Sequence, residues 1–341
     1  MHIRHFIKII SIFIACVLLL FNSIGWAASP NTTITTSTGY TVDLNCLLKN
    51  GFSKEEIISL DYYAPVIEML LKTGQIDQEH AQVLAKGLLE KRPSKAEPLK
   101  NGPAPFPAPS SHHIINETFS SSTCTGVGAH WILKSTSGYN QVTGRATLPT
   151  NINVTYVNGQ QNDVPYMFFG AYATGGADIG LYYNDTLKRW KLFIYTLAKN
   201  WHEGDAQISS STTPTVYLIM TVLDNALEIS AIDNATWVPI ETKRWSEPGQ
   251  GWNASGSGVY ITNEHSLAQH VGNLSNGAYM RTSHWWDLYL YKTSGYGLWT
   301  PTRTLSGYPY IEPSCAGTTG KVKMTINNQW YNTKSDIYFS P

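Results

Sequence analysis

The feature that most constrains this chain is a hydrophobic period of two that sets in near Ile114. Val216, Leu218, Met220 and Val222 alternate with Tyr217, Ile219 and Thr221. Asp224-Asn225 supplies turn chemistry, and Leu227, Ile229 and Ala231 then alternate with Glu228 and Ser230. Successive side chains of a strand point to opposite faces, so this pattern spells a β-hairpin with one apolar face. Residues 178–183 and 190–197 predict a second hairpin around Asn184-Asp185. Residues 141–148, 152–157, 166–172, 284–291 and 321–326 predict further strands. At least nine strands in 228 residues, separated by Gly and Asn clusters, imply a mainly β domain over residues 114–341, an antiparallel sandwich or jelly roll.

This region holds ten of the 11 tryptophans and 17 of the 20 tyrosines, against 14 Lys+Arg and 15 Asp+Glu. A surface so aromatic and so weakly charged meets its partners through rings and hydrogen bonds.

Arg4 and Lys8, an apolar run over residues 9–21 and the small residues of Gly25-Trp26-Ala27-Ala28 read as a signal peptide, residues 1–27, cleaved after Ala27 or Ala28. The run is shorter than the roughly 20 apolar residues of a membrane span. Cys16 lies inside it and does not predict a lipid anchor. Without residues 1–27 the balance of 24 basic and 24 acidic residues becomes 22 and 24. No basic stripe remains for nucleic acid. The expectation is a secreted protein, cell-wall associated or free, with no membrane contact after cleavage. Of the remaining cysteines, Cys124 and Cys315 flank the β region, and a disulfide between them would tie its edges together. Cys46 is left over.

Residues 28–92 read differently. Ser53-Lys54-Glu55-Glu56 has the form of a capping box. Leu60, Val66, Ile67, Leu70 and Leu71 follow at helical spacing, interrupted by Pro65, and Thr73-Gly74 reads as a stop. Asp77 can cap a second helix carrying Val83, Leu84, Leu88 and Leu89. Such a hairpin cannot bury much alone and must pack on something. Six prolines between Pro93 and Pro109 predict an extended linker over residues 93–113. The helical hairpin is then a separate piece, and residues 114–341 should fold without it.

Gly170-Ala171-Tyr172, the run from Ala177 to Tyr183, Trp190-Lys191-Leu192-Phe193-Ile194 and Trp330-Tyr331-Asn332 resemble the YrpD-like group of secreted Gram-positive bacterial proteins, whose activity is unassigned. The same stretch is similar in style to concanavalin-like sandwiches, which implies a fold and no catalytic residue.

Three chemistries can be weighed on the residues. Glu203-Gly204-Asp205, behind Trp201-His202, is the one carboxylate pair at the two-residue spacing that a retaining glycosidase uses, although it reads as a loop. His202, His265, His270 and His284, with Glu264 beside His265, lack the close spacing of a zinc site. Asp185, Asp224 and Asp233 serve turns as readily as calcium. No metal or cofactor is expected. Gly256-Ser257-Gly258 lacks the strand-to-helix setting of a nucleophile elbow. What remains is a surplus of tryptophan among short polar groups. Trp245, Trp252, Asn253, Arg281, His284 and Trp286 are the expected ligand site, with Arg244, Glu247, Tyr296 and Trp299 nearby in sequence. The expected partner is a glycan or cell-wall polymer, since sugars offer ring faces for stacking and hydroxyl edges for orientation. The alternatives are a glycoside hydrolase, a polysaccharide lyase with Arg281 or Lys191 neutralising a uronate and His284 or Tyr296 as base, and a structural coat or matrix protein.

Overall fold

The computed structural model describes residues 32–99, 128–198, 200–313, 322–327 and 330–341. The expected leader, Cys124, Cys315 and most of the proline-rich linker lie outside these residues, and the expected disulfide with them. Cys46 carries a free thiol. No described helix is long and apolar enough to cross a membrane.

A two-stranded ribbon, β1 (Thr33–Thr35) and β2 (Thr41–Asp43), leads into helices α1 (Leu44–Lys49), α2 (Lys54–Leu60), α3 (Ala64–Lys72) and α4 (Gln78–Lys91). The caps form as expected. Ser53 and Glu56 exchange side-chain and backbone bonds at the start of α2, and Asp77 accepts the His80 N–H at 2.9 Å at the start of α4. Pro65 falls in the first turn of α3, where its missing N–H has no partner to lose, so it restarts the helix after a 3-10 turn over Asp61–Tyr63.

The strands that follow are β3 (Glu97–Pro98), β4 (Gly128–Lys134), β5 (Gln141–Thr147), β6 (Asn151–Asn153), β7 (Tyr156–Val157), β8 (Gln160–Gln161), β9 (Asp163–Tyr172), β10 (Gly176–Asn184), β11 (Arg189–Thr196) and β12 (Trp201–Glu203). Next come β13 (Thr215–Leu223), β14 (Ala226–Asp233), β15 (Pro239–Ser246), β16 (Tyr260–Gln269), β17 (Tyr279–Lys292), β18 (Gly295–Leu298), β19 (Tyr310–Glu312), β20 (Val322–Asn327) and β21 (Asn332–Phe339). Both expected hairpins are present, as β10–β11 and β13–β14. A seven-stranded antiparallel sheet runs β12-β11-β10-β9-β16-β4-β19. A ten-stranded sheet runs β20-β21-β17-β5-β13-β14-β15-β3, with β6 and β18 also on β17. The two close over one apolar core that takes Trp131, Phe169 and Trp190 from the first sheet and Leu218, Ile229, Trp245 and Trp285 from the second. The protein is a β-sandwich preceded by a small helical unit.

That unit is not held apart by a spacer. Its helices share a second core with Tyr217, Ile219, Ile232, Trp237, Tyr289 and Tyr291 on the outer face of the ten-stranded sheet. At the centre the Tyr62 O–H donates to Glu228 Oε1 at 2.8 Å, Tyr63 donates to the same oxygen, and Arg244 Nε donates to Glu228 Oε2 at 2.7 Å. The start of the expected linker is itself a strand, because β3 pairs in parallel with β15 and the Leu99 N–H donates to Ser246 O at 3.0 Å. The division at residue 114 therefore cuts through a packed interface.

Candidate active site on the seven-stranded sheet

β16 lies near the middle of its sheet and is buried along nearly all its length. Alternation sends Ile261 and Leu267 into the core and turns Thr262, Glu264 and Ser266 to the outer face. Strand register sets these in rows. Asp178, Gly170, Thr262 and Lys134 lie opposite one another across β10, β9, β16 and β4. Gly180, Phe168, Glu264, Ile132 and Tyr310 make the next row, and Tyr182, Tyr166, Ser266, His130 and Glu312 the third. With strands about 4.8 Å apart and same-face neighbours about 7 Å apart, Glu264 stands about 12 Å, backbone to backbone, from both Asp178 and Glu312.

The two glycines in these rows are closely covered by their neighbours. A Cβ on Gly170 would meet the Thr262 hydroxyl and, at 2.5 Å, the Tyr172 ring. One on Gly180 would meet Phe168 Cβ at 2.5 Å.

All three carboxyls are buried, Glu264 with 2% of its surface exposed. They are not equivalent. The Tyr172 O–H donates to Asp178 Oδ1, which favours the charged form of Asp178. Among the described residues Glu264 Oε2 has no hydrogen-bond partner. Burial first, then Asp178, then Glu312 push the Glu264 carboxyl well above the usual carboxylate range, against weaker opposing pulls from Thr262 and Lys134. Lys134 lies 5.9 Å from the Tyr172 ring centre and 5.0 Å from that of Tyr260, its pKa lowered by burial. A carboxyl with a raised pKa and a second one whose charged form is supported by a donor differ in the sense that acid–base hydrolysis requires.

Ser266 Oγ lies 2.7 Å from His130 Nδ1, with Glu312 opposite His130 on β19. A serine nucleophile also needs free amides aimed at the developing oxyanion. Ser266 sits mid-strand between β9 and β4, where the ladder bonds occupy the backbone amides. The aromatic end of this face is packed on itself: Phe193 and Trp201 stack at 5.1 Å, and Tyr166 and Tyr182 meet Phe193 edge-on.

The residues expected from the sequence to form a ligand site are not brought together. Trp245 and Trp252 are core residues, and the Trp252 ring N–H donates to Ala171 O at 3.0 Å. Asn253 ties a turn, donating to Gly251 O and Ser257 O. These three are corrections, and the physical reason is that a chain so rich in tryptophan must fill its core with some of it. Arg281, His284 and Trp286 do share the outer face of β17, on the other sheet.

The glycosidase pair is also corrected. Glu203 Oε1 is 2.6 Å from Lys191 Nζ, while Asp205 is 2.8 Å from Lys243, so each acid answers its own cation. The same ion pair separates Lys191 from Arg281. Tyr296 packs on Tyr291 under the helical unit, away from His284, so of the lyase residues only Arg281 and His284 share a face. His265 is buried beside Trp131, bonded to Ser283 Oγ at 2.7 Å and pushed down to about 3 by burial. Asp185 pairs with Lys188, Asp224 accepts the Ala254 N–H, and Asp233 accepts those of Ala235 and Thr236. Among the described residues no three His, Cys, Asp or Glu are placed to hold a metal ion. Sequence reasoning meets Glu264 only as a neighbour of His265 and passes over Asp178. The signal available is at Asp178 alone, an acid at an outward position in a strand whose remaining positions suit burial.

No protein-family model and no curated protein matches this chain. Among solved structures, similarity is found to scytalido-glutamic peptidase with a transition state analog inhibitor, at 10% identity and a TM-score of 0.39 over 62% of this chain and 97% of that one. It is also found to a glycoside hydrolase family 16 endo-glucanase from Bacteroides ovatus, at 16% identity and 0.27 over 44% and 74%. LamAcat from Zobellia galactanivorans gives 13% and 0.26 over 40% and 57%.

Proposed function

We propose that the protein is an acid-acting hydrolase of an extracellular polymer, with Glu264 as proton donor and Asp178 as base. The observation that carries this reading is the Glu264 carboxyl, buried, with an oxygen that has no hydrogen-bond partner among the described residues and a pKa raised by burial and by two acids of the same face. In the step, Asp178 takes a proton from a water whose oxygen bonds to the electrophilic carbon. Glu264 gives its proton to the departing oxygen or nitrogen, and exchange with solvent resets both. A site for a sugar calls for flat rings open to it. On this face the described rings pack against one another, so peptide-bond hydrolysis is the reading put to the test and glycosidic hydrolysis its alternative. The acids are buried, so the reading requires this face to open to substrate. Secretion is part of the proposal.

The test is hydrolysis of denatured protein and of β-glucan between about pH 3 and pH 7. A bell-shaped profile is expected, falling at high pH as Glu264 loses its proton and at low pH as Asp178 gains one. Glu264→Gln and Asp178→Asn should each lose about 10²- to 10⁴-fold. Cleavage of glucan alone would move the substrate to glycans and leave the acid pair in place. Full activity in Glu264→Gln, or none in the parent on either polymer, would overturn the reading.

A further inference from the structure

The outer face of the ten-stranded sheet is covered by helices only over part of its width. Beyond them, β17, β20, β21 and the end of β5 border a cavity of about 330 Å³ lined in part by Thr147, Thr282, His284, Asn327, Lys334 and Asp336. This lies at the small end of the range for ligand sites.

Two bulges shape the strand that forms it. The register of β17 shifts between Met280 and Ser283 and again between Trp286 and Tyr289. At these places Thr282 and Asp287 hold φ of 65° and 53°, a conformation that costs a β-branched residue such as threonine the most. The bulges keep Arg281, His284 and Trp286 on one side. Arg145 lies 4.6 Å from the centre of the Trp286 ring, and Trp286 stacks on His284 at 6.0 Å and 21°. His284, whose Nε2 is 2.8 Å from Asn332 Oδ1, ends this stack at the cavity. Alongside, Arg281 lies over the rings of Tyr279 and Tyr338 at 4.6 and 5.3 Å, and Lys323 over Tyr338 at 5.6 Å.

The charges are unbalanced. Arg281, Lys323 and Lys334 form no ion pair among the described residues, while Asp336, the one acid lining the cavity, accepts the Thr282 N–H at 2.6 Å. Three cations, a flat imidazole and a ring of hydroxyls and amides match a chain of sugar rings carrying carboxylates: rings to stack, hydroxyls to orient and anions to pair.

We infer that this strip binds an acidic glycan, and that it is separate from the acid pair on the other sheet. The proposal stands independently of the hydrolase reading. The experiment is titration of the full chain with polygalacturonate and, beside it, with neutral β-glucan, at low and high salt. Polygalacturonate should bind more tightly, and more weakly as salt rises. Lys334→Ala and His284→Ala should each lose about tenfold or more in affinity at unchanged melting temperature. Glu264→Gln should bind as the parent does. Equal affinity for the two polymers, no binding of polygalacturonate, or parental affinity in Lys334→Ala would overturn the inference.

Discussion

Glu228 and Glu264 are both buried on the outer face of a sheet, at 1% and 2% exposure, and their surroundings could hardly differ more. Glu228 accepts from Tyr62, Tyr63 and Arg244, so each oxygen has a donor and its charge has a partner. Glu264 has two acids and only Lys134 to oppose them on its face, and an oxygen with no partner among the described residues. A buried carboxylate is tolerable only when paired and bonded, and one that is not pairs instead with a proton. The first arrangement holds two parts of the molecule together. The second stores an acid, which a fold has no structural reason to keep.

The comparison breaks most readily at Glu228. Glu228→Gln leaves Arg244 half-buried without its counter-ion and puts an amide NH2 in place of one of the two oxygens that accept from Tyr62, Tyr63 and Arg244. It should cost about 3 to 5 kcal/mol, read as a lower melting temperature. A loss under about 1 kcal/mol would mean that the helical unit is held by its apolar contacts alone.

Glu264→Gln should act in the opposite direction, and only above acidic pH. With its folded pKa raised, Glu264 keeps its proton in the native state while the unfolded chain gives it up above about pH 4.5. Stability is therefore full below that value and falls as pH rises toward the folded pKa, by up to about 1.4 kcal/mol per pH unit. The amide has no proton to lose, so the variant's melting temperature should decline less between about pH 5 and pH 7. Parallel curves for parent and variant would show that Glu264 is ionised in the folded protein.

The difference between these glutamates also explains what the sequence could show. The hairpins β10–β11 and β13–β14 were legible because one face of each is continuously apolar, and the helices because Ser53, Pro65 and Asp77 act within a single turn. β16 was not legible. Thr262, Asn263, Glu264, His265 and Ser266 are polar at five successive positions, yet all are buried. A strand covered on both faces and carrying polar chemistry on each loses the alternation that marks a strand. The docking of the helices was hidden for another reason: Tyr62 meets Glu228 across 166 positions of sequence, and no local period encodes such a contact. Composition likewise predicted aromatic contacts without distinguishing Trp245, in the core, from Trp286, on the face of β17.

The smallest effect separates the two sites most cleanly, because one phenolic hydroxyl can be removed from each. Tyr62→Phe deletes one of three donors to Glu228, and Tyr172→Phe deletes a side-chain donor to Asp178. A hydrogen bond to a charged group contributes about 1.5 to 3 kcal/mol. At Glu228, where Tyr63 and Arg244 remain, the lower figure applies and should appear as reduced melting temperature with the pH–rate profile unmoved. At Asp178 the charged form loses support, so the acid limb of that profile should move up by about one pH unit while the alkaline limb, governed by Glu264, stays in place. If Tyr172→Phe lowered the melting temperature and left both limbs alone, Asp178 would be a structural acid like Glu228, and the base would have to be sought at Glu312.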